Sequence, residues 1–295
     1  MGVSMVLQER HGLAPVRAIM RERHFPRDAF RFCARLGSIS DPCPATRGCP
    51  DAELMSSLRA QFPSIIERPV MKLYFHPVST VSRPILLLAE EAGIALDLEV
   101  VDLFTGAHLK PQFSAINPNR QVPLLDDDGF ILSEGSAILK YLADKAHAAT
   151  YPKALQARAR VNERMDWFNT GLYRDLGYGV IYPQCLPTYK RPDQRVQAAI
   201  LAWGREKSRG WLQILDSHVI GKHAFVCGDE LTIADYFGAC ILSLGEVVRL
   251  DYSAWPNVER WLDTMRARPS WAKVNESFYA HFVAPFKDAQ FEGLR

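Results

Sequence analysis

An α/β domain followed by an all-helical domain is the fold class that this 295-residue sequence predicts. Three observations predict it. Strand-like and helix-like patterns alternate between residues 71 and 147, the strand pattern then stops, and the apolar repeats from residue 154 to 295 have helical spacing. Residues 1–70 fit neither part.

Lys72 to Phe75 form a short apolar and aromatic run that reads as a buried strand, and "HPVSTVSRP" behind it reads as a loop turning into a helix. Ile85, Leu88, Ala89 and Ala92 then fall at i, i+3, i+4 and i+7 on one helical face, which Gly93 ends. "LDLEVVDL" supplies a second strand and "QVPLLD" a third. After the polar turn Asp126 to Gly129, "GFIL" is a fourth, and Ile138, Tyr141 and Leu142 mark a helix. The order β-α-β-(short α)-β-β-α predicts a mixed sheet: a right-handed crossover makes the first two strands parallel, and a tight turn makes the last two antiparallel. Beyond "YPK" at 151–153, Val161, Met165, Phe168 and Leu172 repeat at helical spacing, as do Ile200, Trp203, Trp211 and Leu215, and Val258, Trp261, Leu262 and Met265. Thr232 and Asp235 have the spacing of a capping box, in which each side chain satisfies a backbone N–H at the start of a helix.

Composition excludes several functions. The net charge is +2, which removes a general electrostatic case for nucleic acid, and no apolar run approaches the roughly 18 residues of a membrane span. Residues 1–70 differ in usage: they carry all their basic charge as Arg, with a net of +3 against −1 for the rest, and include the Pro/Gly/Ser/Asp-rich stretch "SDPCPATRGCPD". They are expected to be an irregular extension, read as an upstream stretch with Met71 as the working start. No uninterrupted apolar stretch makes a signal peptide of it. Cys33, Cys43, Cys49 and His24 lack a close C-x-x-C pair, so no zinc site is expected there. Cys185, Cys227 and Cys240 are an odd number at wide spacing, which fits a reducing, cytoplasmic setting better than a disulfide framework.

The chemistry-bearing residues belong to loops at one end of the expected sheet. Ser79, Thr80 and Ser82 stand at the start of the first helix, because Pro84 lacks an N–H and is tolerated only in a first turn. Gln121-Val122-Pro123 precedes the third strand, where a cis proline would turn the backbone N–H and C=O of Val122 outward to pair with an extended peptide. Ser133-Glu134-Gly135-Ser136 opens another helix, whose free N–H groups suit a carboxylate while Glu134 suits an ammonium group. A carboxylate receptor, an ammonium receptor and a strand-like edge together fit a small zwitterionic peptide.

"LYFHPVSTVSRPILLLAEEAG", "NPNRQVPLLDDDGFILSEGSAILKYL", "FVCGDELTIADYF" and "WPNVERWLDTMRARPSW" resemble the glutathione transferase family, in order, across residues 71–295. The loop "PVSTVSR" is most similar to its serine-using, theta-like and bacterial branches. The resemblance implies a thioredoxin-like domain over 71–147, a helical substrate-binding domain over 154–295, glutathione as co-substrate with no other cofactor or metal, and a homodimer. It places Ser79 at the glutathione sulfur, with Ser82 its main rival and Thr80 a weaker one. Val122 and Pro123 match the clamp for the cysteinyl part, Gln121 the neighbourhood of the glycyl carboxylate, and Glu134 the acid near the γ-glutamyl amine. Gly135 stands where the family usually has a serine, so one hydroxyl for the γ-glutamyl carboxylate is missing. The backbone N–H survives, and that loss is expected to cost about 1.5–3 kcal/mol of binding unless Ser136 or water replaces the hydroxyl. Arg83 is expected to form a structural ion pair and His76 to be a bystander. An apolar electrophile is expected against an aromatic wall that includes Trp167, Phe168, Tyr173, Tyr178 and Tyr182, most of them packing. Two other activities remain open: a non-catalytic binding module, hinted at by Gly135, and glutathione-dependent disulfide reduction without a protein cysteine.

Overall fold

The structure, a computed structural model, describes residues 71–294. The expected irregular extension, with Cys33, Cys43, Cys49 and His24, lies outside those residues.

Strand β1 (Met71–Phe75) and strand β2 (Leu96–Val100) are parallel, with helix α1 (Arg83–Ala92) as their crossover. Gly93 takes φ 63° and donates its N–H to Ala89 C=O, a left-handed stop that a glycine adopts without a Cβ penalty. Helix α2 (Pro111–Ile116) leads to β3 (Leu124–Asp127), which pairs antiparallel with both β1 and β4 (Phe130–Ser133), and helix α3 (Gly135–Lys145) closes the domain. The strand order is β2-β1-β3-β4. In the β3–β4 turn Asp126 Oδ1 accepts the Gly129 N–H at 2.8 Å.

On α1, Ile85 and Leu88 are buried as the spacing predicts, yet Leu87, off that stripe, is also only 1% exposed. The helix lies between two layers, with the sheet on one side and the helical domain on the other, so a single-face pattern describes half of its burial.

The helical domain opens with α4 (Leu155–Trp167), continues through two π-helical segments, Phe168–Leu172 and Arg174–Ile181, and ends its first run in α5 (Tyr182–Cys185). Then follow α6 (Gln194–Ile214), α7 (Ile233–Leu242), α8 (Pro256–Arg266) and α9 (Pro269–Phe278). The stripes on α4 and α8 are buried as expected. The stripe on α6 is corrected: Trp203 is 60% exposed, while Leu201, Gly204, Ser208 and Leu212 face inward. A Cβ on Gly204 would lie 2.5 Å from the Gly179 carbonyl, so the two backbones touch there, which turns Gly204 inward and Trp203 out.

The capping box of α7 forms, and Asp235 is its centre. Its buried carboxylate accepts from the N–H groups of Val226 (2.9 Å) and Thr232 (2.8 Å) and from Trp261 Nε1 (3.1 Å), tying α7 to α8 and to the preceding loop.

Arg83 ties the two domains together, but not by an ion pair. The guanidinium is fully buried and donates to Ser243 Oγ (3.0 Å), Asn275 Oδ1 (2.6 Å) and Cys240 C=O (3.0 Å). It lies 3.8 Å from the centroid of the Phe278 ring, so neutral acceptors and a cation–π contact replace the expected carboxylate.

Candidate active site

Tyr74, Leu124 and Ser133 are register partners across β1, β3 and β4. The loop after β1, the Gln121–Pro123 segment before β3 and the residues after β4 therefore emerge side by side at one end of the sheet. This is where the predicted site residues meet.

The chain leaves β1 through His76 and Pro77 and makes one tight turn before α1. Ser79 C=O accepts the N–H groups of Ser82 (3.2 Å) and Arg83 (3.1 Å), and Ser79 Oγ also accepts the Ser82 N–H at 3.3 Å. Ser79 thus caps the turn that leads into α1, while the N–H groups of Thr80 and Val81 have no acceptor among the described residues. The capping bond uses an oxygen lone pair of Ser79 and leaves its proton free to donate. The three hydroxyls differ in access. Ser79 is partly exposed, Thr80 is 4% exposed with its Oγ1 2.9 Å from Tyr182 OH, and Ser82 is fully buried with its Oγ unpartnered. A sealed hydroxyl does not reach a ligand in the cleft, so Ser82, expected beside glutathione, is corrected to an internal residue of the loop.

The Val122–Pro123 peptide is cis, and no hydrogen bond within the described residues engages the Val122 N–H or C=O. Asn117 Nδ2 donates to Gln121 C=O at 2.7 Å and holds the loop, leaving the Gln121 side chain exposed. Two residues that sequence reasoning missed lie nearby. Arg120 is exposed with φ 55°, a cation directly before Gln121. His108 sits in the 3-10 turn Ala107–Leu109, which packs through Ala107 on the same small cluster as Val122, and its buried Nδ1 has no partner. The signal for Arg120 was present in "NPNRQVP"; His108 is 12 residues upstream of it and only the fold brings it near.

Glu134 takes φ 70° and ψ 114°, a strained conformation for a residue with a Cβ, and its exposed carboxylate has no ion pair among the described residues. The next residue explains itself by packing. A Cβ on Gly135 would stand 2.6 Å from Val81 C=O oxygen and 3.0 Å from Val81 Cβ, so the first turn of α3 lies directly on the Ser79–Ser82 loop.

The aromatic wall divides in two. Phe168 is fully buried, stacked on Trp261, and Trp167 packs edge-on against Phe168 and Trp211, each at 5.3 Å. Trp167 is 15 residues from Tyr182 along the helical run, on the order of 20 Å, so its assignment to the electrophile pocket is corrected to packing between α4 and α6. Tyr173, Tyr178 and Tyr182 do converge near Thr80. Tyr178 is 42% exposed and lies 5.2 Å, 5.0 Å and 5.5 Å by ring centroid from Tyr173, Tyr182 and Tyr189. Beside the loop, a cavity of about 400 Å³ is lined by His76, Pro77, Val78, Asp102, Phe104 and His281. His76 Nδ1 accepts the Val78 N–H at 3.3 Å, and burial pushes its pKa down against the pull of Asp102, so the ring is neutral at pH 7.

Comparison with known proteins decides the family. Residues 78–145 match the glutathione S-transferase N-terminal domain and residues 181–269 the glutathione S-transferase C-terminal domain. Glutathione S-transferase D7 of Drosophila melanogaster is 32% identical over 215 residues, which are 71% of this chain and 90% of that protein. The chain belongs to the glutathione S-transferase family. Among solved structures, a delta-class glutathione transferase of Nilaparvata lugens is similar at 34% identity and a TM-score of 0.63, covering 74% of this chain and 98% of that one. Human glutathione S-transferase T1-1 is similar at 29% identity and a TM-score of 0.62, covering 71% and 90%. The four-stranded mixed sheet and the helical domain are thus those of this transferase family.

Proposed function

We propose that this glutathione transferase holds the thiolate of glutathione with Ser79 and directs it at an apolar electrophile, conjugating it or displacing a leaving group. The observation that carries the assignment is the difference between the three hydroxyls of the loop: Ser79 alone combines access to solvent with an uncommitted proton. A thiol of ordinary pKa, about 8.5, reaches about 6.5 if the thiolate gains roughly 2.7 kcal/mol. One hydrogen bond to a charged sulfur contributes about 1.5–3 kcal/mol, and a helix N-terminus adds about 0.3–1. The two are enough, and no base is required in the protein. The sulfur proton leaves to solvent.

In this reading Val122 pairs with the cysteinyl backbone, Arg120 and Gln121 face the glycyl carboxylate, Glu134 meets the γ-glutamyl ammonium, and the N–H groups at Gly135 and Ser136 receive the γ-glutamyl carboxylate. Tyr178 and its neighbours offer the apolar side of the electrophile pocket. A homodimer in the cytoplasm is proposed on family membership and on cysteine usage.

Neither alternative activity gains support. The hint of a non-catalytic module was Gly135, and its contact with Val81 accounts for the glycine. Disulfide reduction without a protein cysteine would appear as turnover of a mixed disulfide with little conjugating activity; the described cysteines take no part in it, since burial pushes Cys185 up to about 12 and Cys227 and Cys240 up to about 11. Ser79→Ala tests the proposal. It is expected to lower kcat/KM about 10- to 100-fold near neutral pH and to raise the pKa of bound glutathione. Kinetics and thiol pKa equal to wild type would remove Ser79 from the mechanism.

A further inference from the structure

Three hydroxyls form a chain that starts beside Ser79 and runs into the helical domain. Thr80 Oγ1 is 2.9 Å from Tyr182 OH, and Tyr182 OH is 2.8 Å from Tyr173 OH. All three residues are at most 8% exposed. Thr80 and Tyr182 are 102 residues apart in sequence, so the chain spans the domain boundary directly at the loop that carries Ser79.

The two bonds of the chain can run in either direction. Each hydroxyl has one proton to donate. If Tyr173 donates to Tyr182, the Tyr182 proton goes to Thr80, and Thr80 keeps its own proton free on the side of the loop. Burial raises the pKa of both phenols, so they remain protonated donors throughout the range in which a thiol titrates. In such a chain each bond polarises the next.

The π-helical backbone makes this possible. Tyr173, Tyr178 and Tyr182 are separated by five and four residues, and the segment Arg174–Ile181 has the i→i+5 ladder that stacks such positions on one face. In a regular α-helix the five-residue step would point away.

We propose that the Thr80–Tyr182–Tyr173 hydroxyl chain fixes and polarises the Ser79 loop, making Thr80 and Tyr182 positioning residues for thiolate formation. The inference rests on the assignment of the thiolate site to this loop. It adds that the helical domain sets the acidity of the bound thiol through one hydroxyl-to-hydroxyl contact, as well as shaping the second substrate's pocket.

The test is the pH titration of the thiolate absorbance of glutathione bound to the full-length protein, with melting temperature measured alongside. Tyr182→Phe keeps the ring and removes the hydroxyl; Thr80→Val keeps the shape and removes the donor. Each is expected to lower the thiolate fraction about threefold at a pH below the wild-type midpoint, equivalent to about 0.7 kcal/mol. The double variant is expected to be no worse than either single one, and Thr80→Ser is expected to restore the wild-type titration. Wild-type midpoints in both Tyr182→Phe and Thr80→Val, or Thr80→Ser behaving as Thr80→Val, would overturn the inference. Failure of the underlying site assignment looks different: the wild-type protein would show no glutathione-dependent thiolate band, or Ser79→Ala would leave the band unchanged.

Discussion

Replacing Gly135 by serine or alanine separates two accounts of the same residue. Read from sequence, the glycine is a lost hydroxyl, and Gly135→Ser should restore about 1.5–3 kcal/mol of binding, a roughly 10- to 100-fold gain in glutathione affinity. Read from the structure, the glycine is the only residue that fits. The added Cβ would lie 2.6 Å from Val81 C=O oxygen, roughly 1 Å inside ordinary van der Waals contact. Overpacking of this kind costs about 1–3 kcal/mol, and relief of glycine's conformational entropy returns about 0.5–1. A net loss of up to about 2.5 kcal/mol, or up to roughly 10 °C in melting temperature, is expected for Gly135→Ala. The strain also acts on function, because the group that must yield is the backbone between Thr80 and Ser82. Displacing a catalytic loop by about 1 Å can cost up to about 100-fold, so kcat/KM should fall at least tenfold for both substitutions. Val81→Ala in the same chain should not rescue them, since the nearest atom is a backbone oxygen. Urea denaturation and steady-state kinetics with glutathione as the varied substrate measure both effects. A Gly135→Ser protein with unchanged stability and about tenfold tighter glutathione binding would refute the packing argument.

The remaining predictions concern the anchors of the fold. Arg83→Ala leaves Ser243, Asn275 and Cys240 C=O without their shared donor and empties the space on Phe278, so it should cost at least about 3 kcal/mol, read as a fall in the urea midpoint. Arg83→Lys should recover only part, because a single ammonium cannot hold three acceptors in one plane. Glu91 gives a pH dependence: burial pushes its carboxyl up, but Arg268, Ser270 and Tyr236 outweigh that and hold it below the usual range. A folded-state pKa below the unfolded value of about 4.3 contributes stability that is present above that pH and is lost as pH falls through the folded value. The urea midpoint of the wild-type protein should therefore drop on acidification below about pH 4.3, and Glu91→Gln should flatten that part of the profile; an equally steep profile in the variant would exclude this carboxylate as its source.

What was legible in the sequence followed from local periods and turn chemistry. Gly93, Asp126 to Gly129 and the Thr232/Asp235 pair announced their structures because each solves a backbone problem within four residues. The order of strands and helices in the first domain, and the convergence of Ser79, Val122 and Glu134, followed from chain direction alone. What stayed hidden depended on contacts distant in sequence. Leu87 is buried because a second layer of helices covers α1, and Trp203 faces out because its neighbour Gly204 is held against Gly179. His108 is drawn to the site by a turn packed on the Val122 cluster, with nothing in its own neighbourhood to mark it.

The tyrosines carry this argument furthest. A period of 3.6 puts Tyr178 and Tyr182 on one face but turns Tyr173 away from both, so the sequence offers an aromatic wall for the electrophile without a hydroxyl contact in it. The segments Phe168–Leu172 and Arg174–Ile181 are π-helical, so the same three residues share a face and two of their hydroxyls meet. The change of period costs hydrogen-bond geometry within the helix, and π segments of this kind are frequent at functional sites. Here the local departure from regular structure is what places a phenol against Thr80, next to the hydroxyl proposed to hold the sulfur. The same contact separates Thr80 from Ser79: the Thr80 oxygen is paired with the helical domain, and the Ser79 hydroxyl, partly exposed, is the one proposed to meet the substrate.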